Sequence, residues 1–329
     1  MSNQTVSIIN KATSDKKTYN IITLDTHERY QTQLAKTGHN FYSFQYDGCK
    51  KWVVPYGNKP NNYYTLPINS IVNGVDFDFI LTQSKFGQFQ VAQQINRYLK
   101  LPIISLEHTL PIPSWSNQQL NAFKNMLGDI NVFISDYSVK QWDMTCDNTV
   151  IYHSVDAELF CQDSEVQKTT DVLSVVNDFK NRDYCCNYSG WERITKELNV
   201  KLVGDNPGLS KPAENPQALA KEYQSAKVFL NTSTISPVPT SLLEAMACGC
   251  AVVTTSTCMI PEIINNGVNG YCSNDEFSLR SCIENLLQDD ELRIKMGNEA
   301  RKTILEKFSE TNFINNWNNV FERAYGLKK

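Results

Sequence analysis

The sequence lacks most of the features that mark membrane, metal, redox or nucleic-acid proteins. No apolar run approaches the roughly 20 residues that a helix needs to cross a bilayer. The opening, Met1 to Lys17, is polar and has no apolar stretch of the kind that directs secretion, so a cytoplasmic protein is expected. With only 4 His and no Cys-x-x-Cys pair, no zinc spacing exists, and neither a metal nor a resident cofactor is expected. No Gly-x-Gly-x-x-Gly follows a predicted strand, which leaves a dinucleotide-dependent oxidoreductase without support. A whole-molecule basic field is absent too. The 31 Lys and Arg against 35 Asp and Glu give a net charge of −4, which excludes bulk attraction to nucleic acid but not a local basic patch.

What is present describes a folded chain. Hydrophobic residues are 41% of the 329, with 15 Phe, 15 Tyr and 5 Trp, a balance far from that of disorder. At roughly 150 residues per domain, the length predicts about two domains. The 10 cysteines are scattered, and Cys248 and Cys250 stand in an Ala/Gly-rich stretch that reads as buried. Reduced thiols are expected rather than a disulfide framework.

Short apolar runs rich in β-formers alternate with longer helical patterns, the signature of parallel sheets with crossover helices. In the first half, strands are predicted at 19–24, 41–46, 77–82, 102–106, 131–135 and 149–152, with helices near 28–37, 86–99 and 117–127. The pattern restarts after a polar stretch, 162–170. Strands follow at 170–176, 201–203, 227–230 and 251–255, and helices at 184–197, 216–225, 241–247, 276–287 and 290–307. A tail over 309–325 places Phe313, Trp317, Phe321 and Tyr325 four apart, which predicts a packing face. Two α/β units imply a cleft, with function in the loops beyond the carboxyl ends of the strands.

The most informative block runs from Ala226 to Tyr271. A strand ends at Leu230-Asn231, a Pro/Ser/Thr loop leads to Pro239-Thr240-Ser241, and a helix follows through Glu244-Ala-Met-Ala to Gly249. Thr240 or Ser241 at the N-cap would aim backbone N–H groups outward, a ready phosphate site. Glu244, placed in the first turn, has two readings. It completes a capping box with Ser241, or it accepts hydrogen bonds from the vicinal hydroxyls of a ribose.

On this block the chain resembles the family 4 (group 1) retaining glycosyltransferases of the GT-B fold, phage-type members included. Ser233 through Glu262 follow the family's serine, Glu-x7-Glu, Ala-Met-Ala-x-Gly and Pro-Glu-Ile pattern. Leu34-Ala-Lys-Thr-Gly-His39, Val150-Ile-Tyr-His-Ser-Val-Asp156 with Phe160, and Leu202-Val-Gly-Asp205 with Pro207 resemble other family segments, so the likeness spans nearly the whole chain. The resemblance implies two Rossmann-like domains facing each other, 1–162 on the acceptor side and 163–308 on the nucleotide-sugar side. A C-terminal helix, 309–329, is expected to pack back toward the first. It implies a nucleotide diphosphate sugar as donor, UDP-sugar favoured, with Glu244, Thr240, Ser241, Ser236, Asn177 and Gly204 in its pocket. Arg182 and Lys180 would meet the diphosphate, and His108 would touch the donor sugar or the β-phosphate. The chain departs from the pattern at Ser236, where the first Glu of Glu-x7-Glu should stand, and Asp25-Thr26-His27-Glu28 replaces the glycine-rich loop after the first strand.

The acceptor side reads from 41–64, where aromatic residues interleave with Lys50, Lys51 and Lys59 and Asp47 is the only acid. Trp52 and Tyr56 are candidates for stacking, the lysines for phosphates, and His27 for a further contact; the bland reading is a small aromatic core beside the sheet. A glycan or lipid-linked hydroxyl is the favoured acceptor. Glycosylation of a hydroxymethylated DNA base and a catalytically silent sugar-nucleotide binder are the alternatives.

Overall fold

In the computed structural model, which describes residues 18–53 and 57–328, the apolar runs become strands that all pair in parallel. The first sheet contains β1 (Asn20–Thr23), β2 (Asn40–Gln45), β3 (Tyr63–Ile68), β4 (Phe79–Thr82), β5 (Ile103–Glu107), β6 (Ile130–Phe133) and β7 (Thr149–Val150), in the order β3-β2-β1-β4-β5-β6-β7. Its crossovers carry α1 (Glu28–Ala35), α2 (Gln88–Leu99), α3 (Asn117–Lys124) and α4 (Asp136–Gln141). Every residue of β1, β4, β5 and β6 is buried, as expected of central parallel strands covered on both faces. The edge strand β3 escapes the sequence reading because most of its residues are exposed and Pro67 interrupts it, which only an edge tolerates.

The second sheet has the order β12-β11-β10-β8-β9, built from β8 (Thr170–Val175), β9 (Val200–Val203), β10 (Ala226–Asn231), β11 (Ala251–Thr254) and β12 (Tyr271–Cys272). Around it lie α5 (Asp183–Cys186), α6 (Tyr188–Thr195), α7 (Pro216–Ser225), α8 (Thr240–Ala247), α9 (Ile260–Ile263), α10 (Glu276–Gln288) and α11 (Asp290–Lys307). The single helix expected over 184–197 is two. Asn187 adopts a left-handed backbone (φ 56), ends α5 there, and then caps α6 by accepting the Gly190 N–H. All ten cysteines lie among the described residues and none is in a disulfide.

The chain divides into a unit ending at Tyr152 that takes back Thr311–Lys329, and a second unit, His153–Glu310. The division thus falls earlier than residue 162. Ile151 still donates to Phe133 in the first sheet, whereas Val155 donates to Phe308, and Phe160 is buried against Tyr223 in the second unit.

The tail becomes α12 (Glu310–Gly326), whose apolar face returns to the first unit as the four-residue spacing predicts. Trp317 is fully buried and its Nε1 donates to the Tyr30 hydroxyl at 3.0 Å. Phe321 stacks on Phe79 of β4 at 5.4 Å, and Arg323 binds Asp147 at 3.0 Å. Replacing Trp317 with Ala should lower stability by about 3–5 kcal/mol, the range for a large core aromatic. Urea unfolding of the variant checks this, and a loss below about 1 kcal/mol would show that α12 adds little to the first unit.

Candidate active site

In the second unit, parallel pairing gathers four loops at the carboxyl edge of the sheet, after β8, β9, β10 and β11. The order reverses between β8 and β10, the place where open α/β sheets bind ligands. The loops brace one another through backbone groups. Cys185 O of α5 accepts the N–H groups of Thr234 and Ile235 at 2.8 and 3.1 Å. On the other side Ser233 O accepts the hydroxyls of Thr255 and Thr257 at 2.5 and 2.9 Å. The loop after β10 is thereby held from both flanks, and α8 starts from a fixed point.

That start differs from the expectation. The N-cap of α8 is Pro239, which offers no side-chain acceptor, and Thr240 and Ser241 are the first two helical residues. Pro239 O receives the N–H groups of Leu242 and Leu243 at 3.0 and 3.4 Å. No side chain caps this helix, so backbone N–H groups of its first turn are left without a side-chain acceptor. Glu244 is the fifth residue, beyond the first turn, so the capping-box reading with Ser241 is corrected. The carboxylate is nearly buried, and its Oε2 accepts from the Tyr223 hydroxyl at 2.9 Å. Ser236 is half-buried within the braced loop.

Asn177 and Gly204, expected at the donor, join two loops. Asn177 Oδ1 accepts the Asp205 N–H at 2.8 Å. Asn206 accepts from the Phe179 N–H at 2.7 Å and donates to Val176 O at 2.8 Å. Gly204 has φ 143, and a Cβ there would stand 1.9 Å from Val176 O, so only glycine lets the loops after β8 and β9 approach so closely. Lys180 and Arg182 project from this braced loop and are exposed. Lys180 lies over the Tyr188 ring at 5.3 Å, and Arg182 Nη1 is 3.4 Å from Asn177 O.

In the first unit, the carboxyl edge brings His27 and His108 together, with ring centroids 4.8 Å apart and nearly perpendicular. Tyr30 meets His108 edge-on at 4.5 Å. Desolvation pushes the His27 imidazole below its ordinary pKa, and Lys50 adds to this while Glu28 opposes it. The loop of Asp25 is fixed by Ser43, whose hydroxyl donates to the carboxylate at 2.7 Å, and by the Tyr63 hydroxyl.

The 41–64 candidates are more engaged than expected. Lys50, assigned to acceptor phosphates, forms an ion pair at 2.7 Å with nearly buried Glu28 and also donates to Thr26 O. Trp52 packs on Tyr63 at 4.9 Å and donates from Nε1 to Gly57 O at 2.8 Å, the small-core arrangement. Lys51 is exposed, and Tyr56 lies outside the described residues.

Sequence reasoning missed Glu107, although it adjoins His108. This fully buried carboxylate accepts from the Thr109 N–H and hydroxyl at 2.8 and 2.6 Å, and from the Lys85 N–H at 2.8 Å. It therefore ties the loop after β4 to the loop that carries His108. Burial raises its pKa, and the bonds from Thr109 and Lys85 pull it back. The Lys85 side chain is likewise buried, donates to Met126 O and lies 5.8 Å from the Trp142 ring centroid. Glu107→Gln would turn an NH2 group against one of these donors and should cost about 1–3 kcal/mol. An unchanged unfolding midpoint would show that Glu107 does not hold the two loops.

Two parallel α/β units, the second with a helix that no side chain caps at its start, define a two-sheet α/β architecture. Residues 208–303 match the family of glycosyl transferases group 1. Poly(glycerol-phosphate) alpha-glucosyltransferase of Bacillus subtilis is 29% identical over 131 residues, covering 39% of this chain and 19% of that protein. An uncharacterized glycosyltransferase of Methanocaldococcus jannaschii is 35% identical over 113 residues, or 33% and 29% of the two chains. The match therefore spans less than a third of either relative. Among solved structures, sucrose-phosphate synthase from Thermosynechococcus elongatus superposes with TM-score 0.74 at 13% identity, over 94% of this chain and 100% of that one. Anabaena HepE, solved with UDP and glucose, gives 0.70 at 15% identity, over 93% and 99%. The fold is GT-B, and within it residues 208–303 are similar to the group 1 glycosyl transferases.

Proposed function

We propose that the protein transfers a sugar, with retention, from a nucleotide diphosphate sugar, UDP-sugar favoured, to a hydroxyl acceptor on a glycan or lipid. The observation that carries this reading is the α8 N-terminus, uncapped by any side chain, at the switch point of the second sheet and inside the segment that matches the family. The Thr240 and Ser241 end of α8 receives the diphosphate, and Arg182 with Lys180 offsets the charge that grows on it. Preorganised charge of this kind acts where the transition state needs it. As the bond from the anomeric carbon to the β-phosphate oxygen breaks, its electron pair leaves with the nucleotide diphosphate. The acceptor oxygen bonds the same carbon from the same face, and its proton passes to the departing phosphate. This assigns the charge of the leaving group to side chains and a helix terminus, with no metal required. Glu244 binds the ribose hydroxyls while Tyr223 holds its other side. HepE, whose structure was solved with UDP and glucose, supports the choice of donor. The first unit supplies the acceptor side with His27 among its groups, and His108 keeps its role toward the donor sugar or the β-phosphate.

Calorimetric UDP binding and the release of nucleotide diphosphate from UDP-glucose test the reading. Glu244→Ala should weaken UDP by about 1–3 kcal/mol, the range for a charge-assisted hydrogen bond. A variant that binds UDP normally and only melts earlier would make Glu244 a structural partner of Tyr223. Arg182→Ala should lower kcat more than it raises the donor KM, because its interaction strengthens as charge develops. Unchanged kinetics would remove Arg182 from the diphosphate.

A further inference from the structure

An aromatic surface stands apart from the 41–64 segment, at the carboxyl edge of the first sheet. Phe86 follows β4, Trp115 follows β5, and Phe123 belongs to α3. Trp115 and Phe123 stack at 4.6 Å with planes 10° apart, and Phe86 lies 4.9 Å from Phe123 and 5.3 Å from Trp115. All three rings are only half-buried. Helix α3 buries none of its residues, and Ile112 beside it in sequence is 47% exposed. Stacked rings that keep part of their surface toward solvent are a candidate contact surface on a folded unit.

The charge of the segment decides what binds. From Thr109 to Leu127 the only charged side chain is Lys124, and Asp143 neutralises it in an ion pair. The exposed polar groups are amides and hydroxyls, including Ser116, Asn117, Gln118 and Asn121. Anionic lipid surfaces and nucleic acid are held chiefly by Lys and Arg, which are missing here. Flat rings flanked by neutral groups that both donate and accept hydrogen bonds complement a sugar ring, which has apolar C–H faces and a hydroxyl rim. The cluster is also continuous with the site. Trp115 is on the loop that begins at His108, and that loop is pinned by Trp142 Nε1, which donates to Thr109 O at 2.9 Å.

We propose that the Phe86, Trp115 and Phe123 surface is the acceptor subsite and takes a neutral oligosaccharide. This rests on the glycosyltransferase reading above and moves the acceptor away from Lys50 and Trp52.

The test applies the full-length protein to an array of neutral hexose, N-acetylhexosamine and deoxyhexose oligosaccharides. Vesicles of phosphatidylglycerol with phosphatidylcholine, single-stranded DNA and UDP serve as the other probes. Wild type should bind neutral oligosaccharides with little dependence on salt. Trp115→Ala should weaken that binding at least tenfold. Ile112→Asp alters a 47%-exposed side chain on the same loop as Trp115. Its loss of binding, in a variant with an unchanged unfolding midpoint, supports the proposal even if Trp115→Ala fails to fold. Binding of the oligosaccharides that neither variant weakens overturns it, as does salt-sensitive binding of vesicles or DNA in their place. UDP binding with no oligosaccharide bound overturns the subsite and leaves the donor reading standing. Oligosaccharide binding without UDP binding overturns the donor reading and leaves the aromatic surface as a glycan site.

Discussion

The parallel ladder is the constraint from which the rest of the structure follows. Each strand in both sheets runs in one direction, so every strand ends at the same edge of its sheet and every loop leaving it starts there. Residues far apart in sequence become neighbours without any contact designed for the purpose. His27 and His108 meet because β1 and β5 flank β4 in one register. The same rule brings the loop of Arg182 beside the loop of Ser236, since β8 and β10 are paired. Crossover helices follow from parallel pairing, and the burial of both sheet faces follows from the helices.

The second constraint is that these loops are held by backbone carbonyls and by small side chains. Cys185 O, Ser233 O and Val176 O each receive donors from a different loop. With the loops held in this way, a charged group such as Arg182 can project from a rigid support. In the first unit the support comes from two buried carboxylates. Glu107 takes three donors without exposure, and Glu28 holds both Lys50 and the Val53 N–H. Buried carboxylates satisfied in this way fix a loop strongly, because removing a partner leaves a charge with neither water nor a bond.

Charge distribution separates the two faces of the proposed chemistry. The second unit's carboxyl edge carries exposed Lys180 and Arg182 and a helix that no side chain caps, the chemistry proposed for a diphosphate. On the first unit, Lys50 and Lys124 are already paired with acids, and the surface after β5 is aromatic and amide-rich. An anionic donor and a neutral acceptor fit these two chemistries. Lys50 in its ion pair also weakens the DNA alternative, which leaned on that lysine.

The sequence by itself determined the α/β class, nearly all the central strands, the packing face of α12 and the family segment around Glu244. These are local matters: apolar runs, four-residue spacing, and a motif contiguous along the chain. It also supplied His27, His108, Arg182 and Glu244 as separate candidates. Only the tertiary structure decided what each could do. A lysine between aromatics reads as available until Glu28, distant in sequence, is found beside it, and the need for glycine at 204 shows only once Val176 O is found where a Cβ would stand. The edge strand β3 and the break at Asn187 were hidden because exposure and a single left-handed residue leave no periodic trace. Glu107 and the Trp115 cluster were hidden for the opposite reason. Their meaning comes from partners on other strands, and the order in which strands pair is not written in the spacing of residues along any one of them.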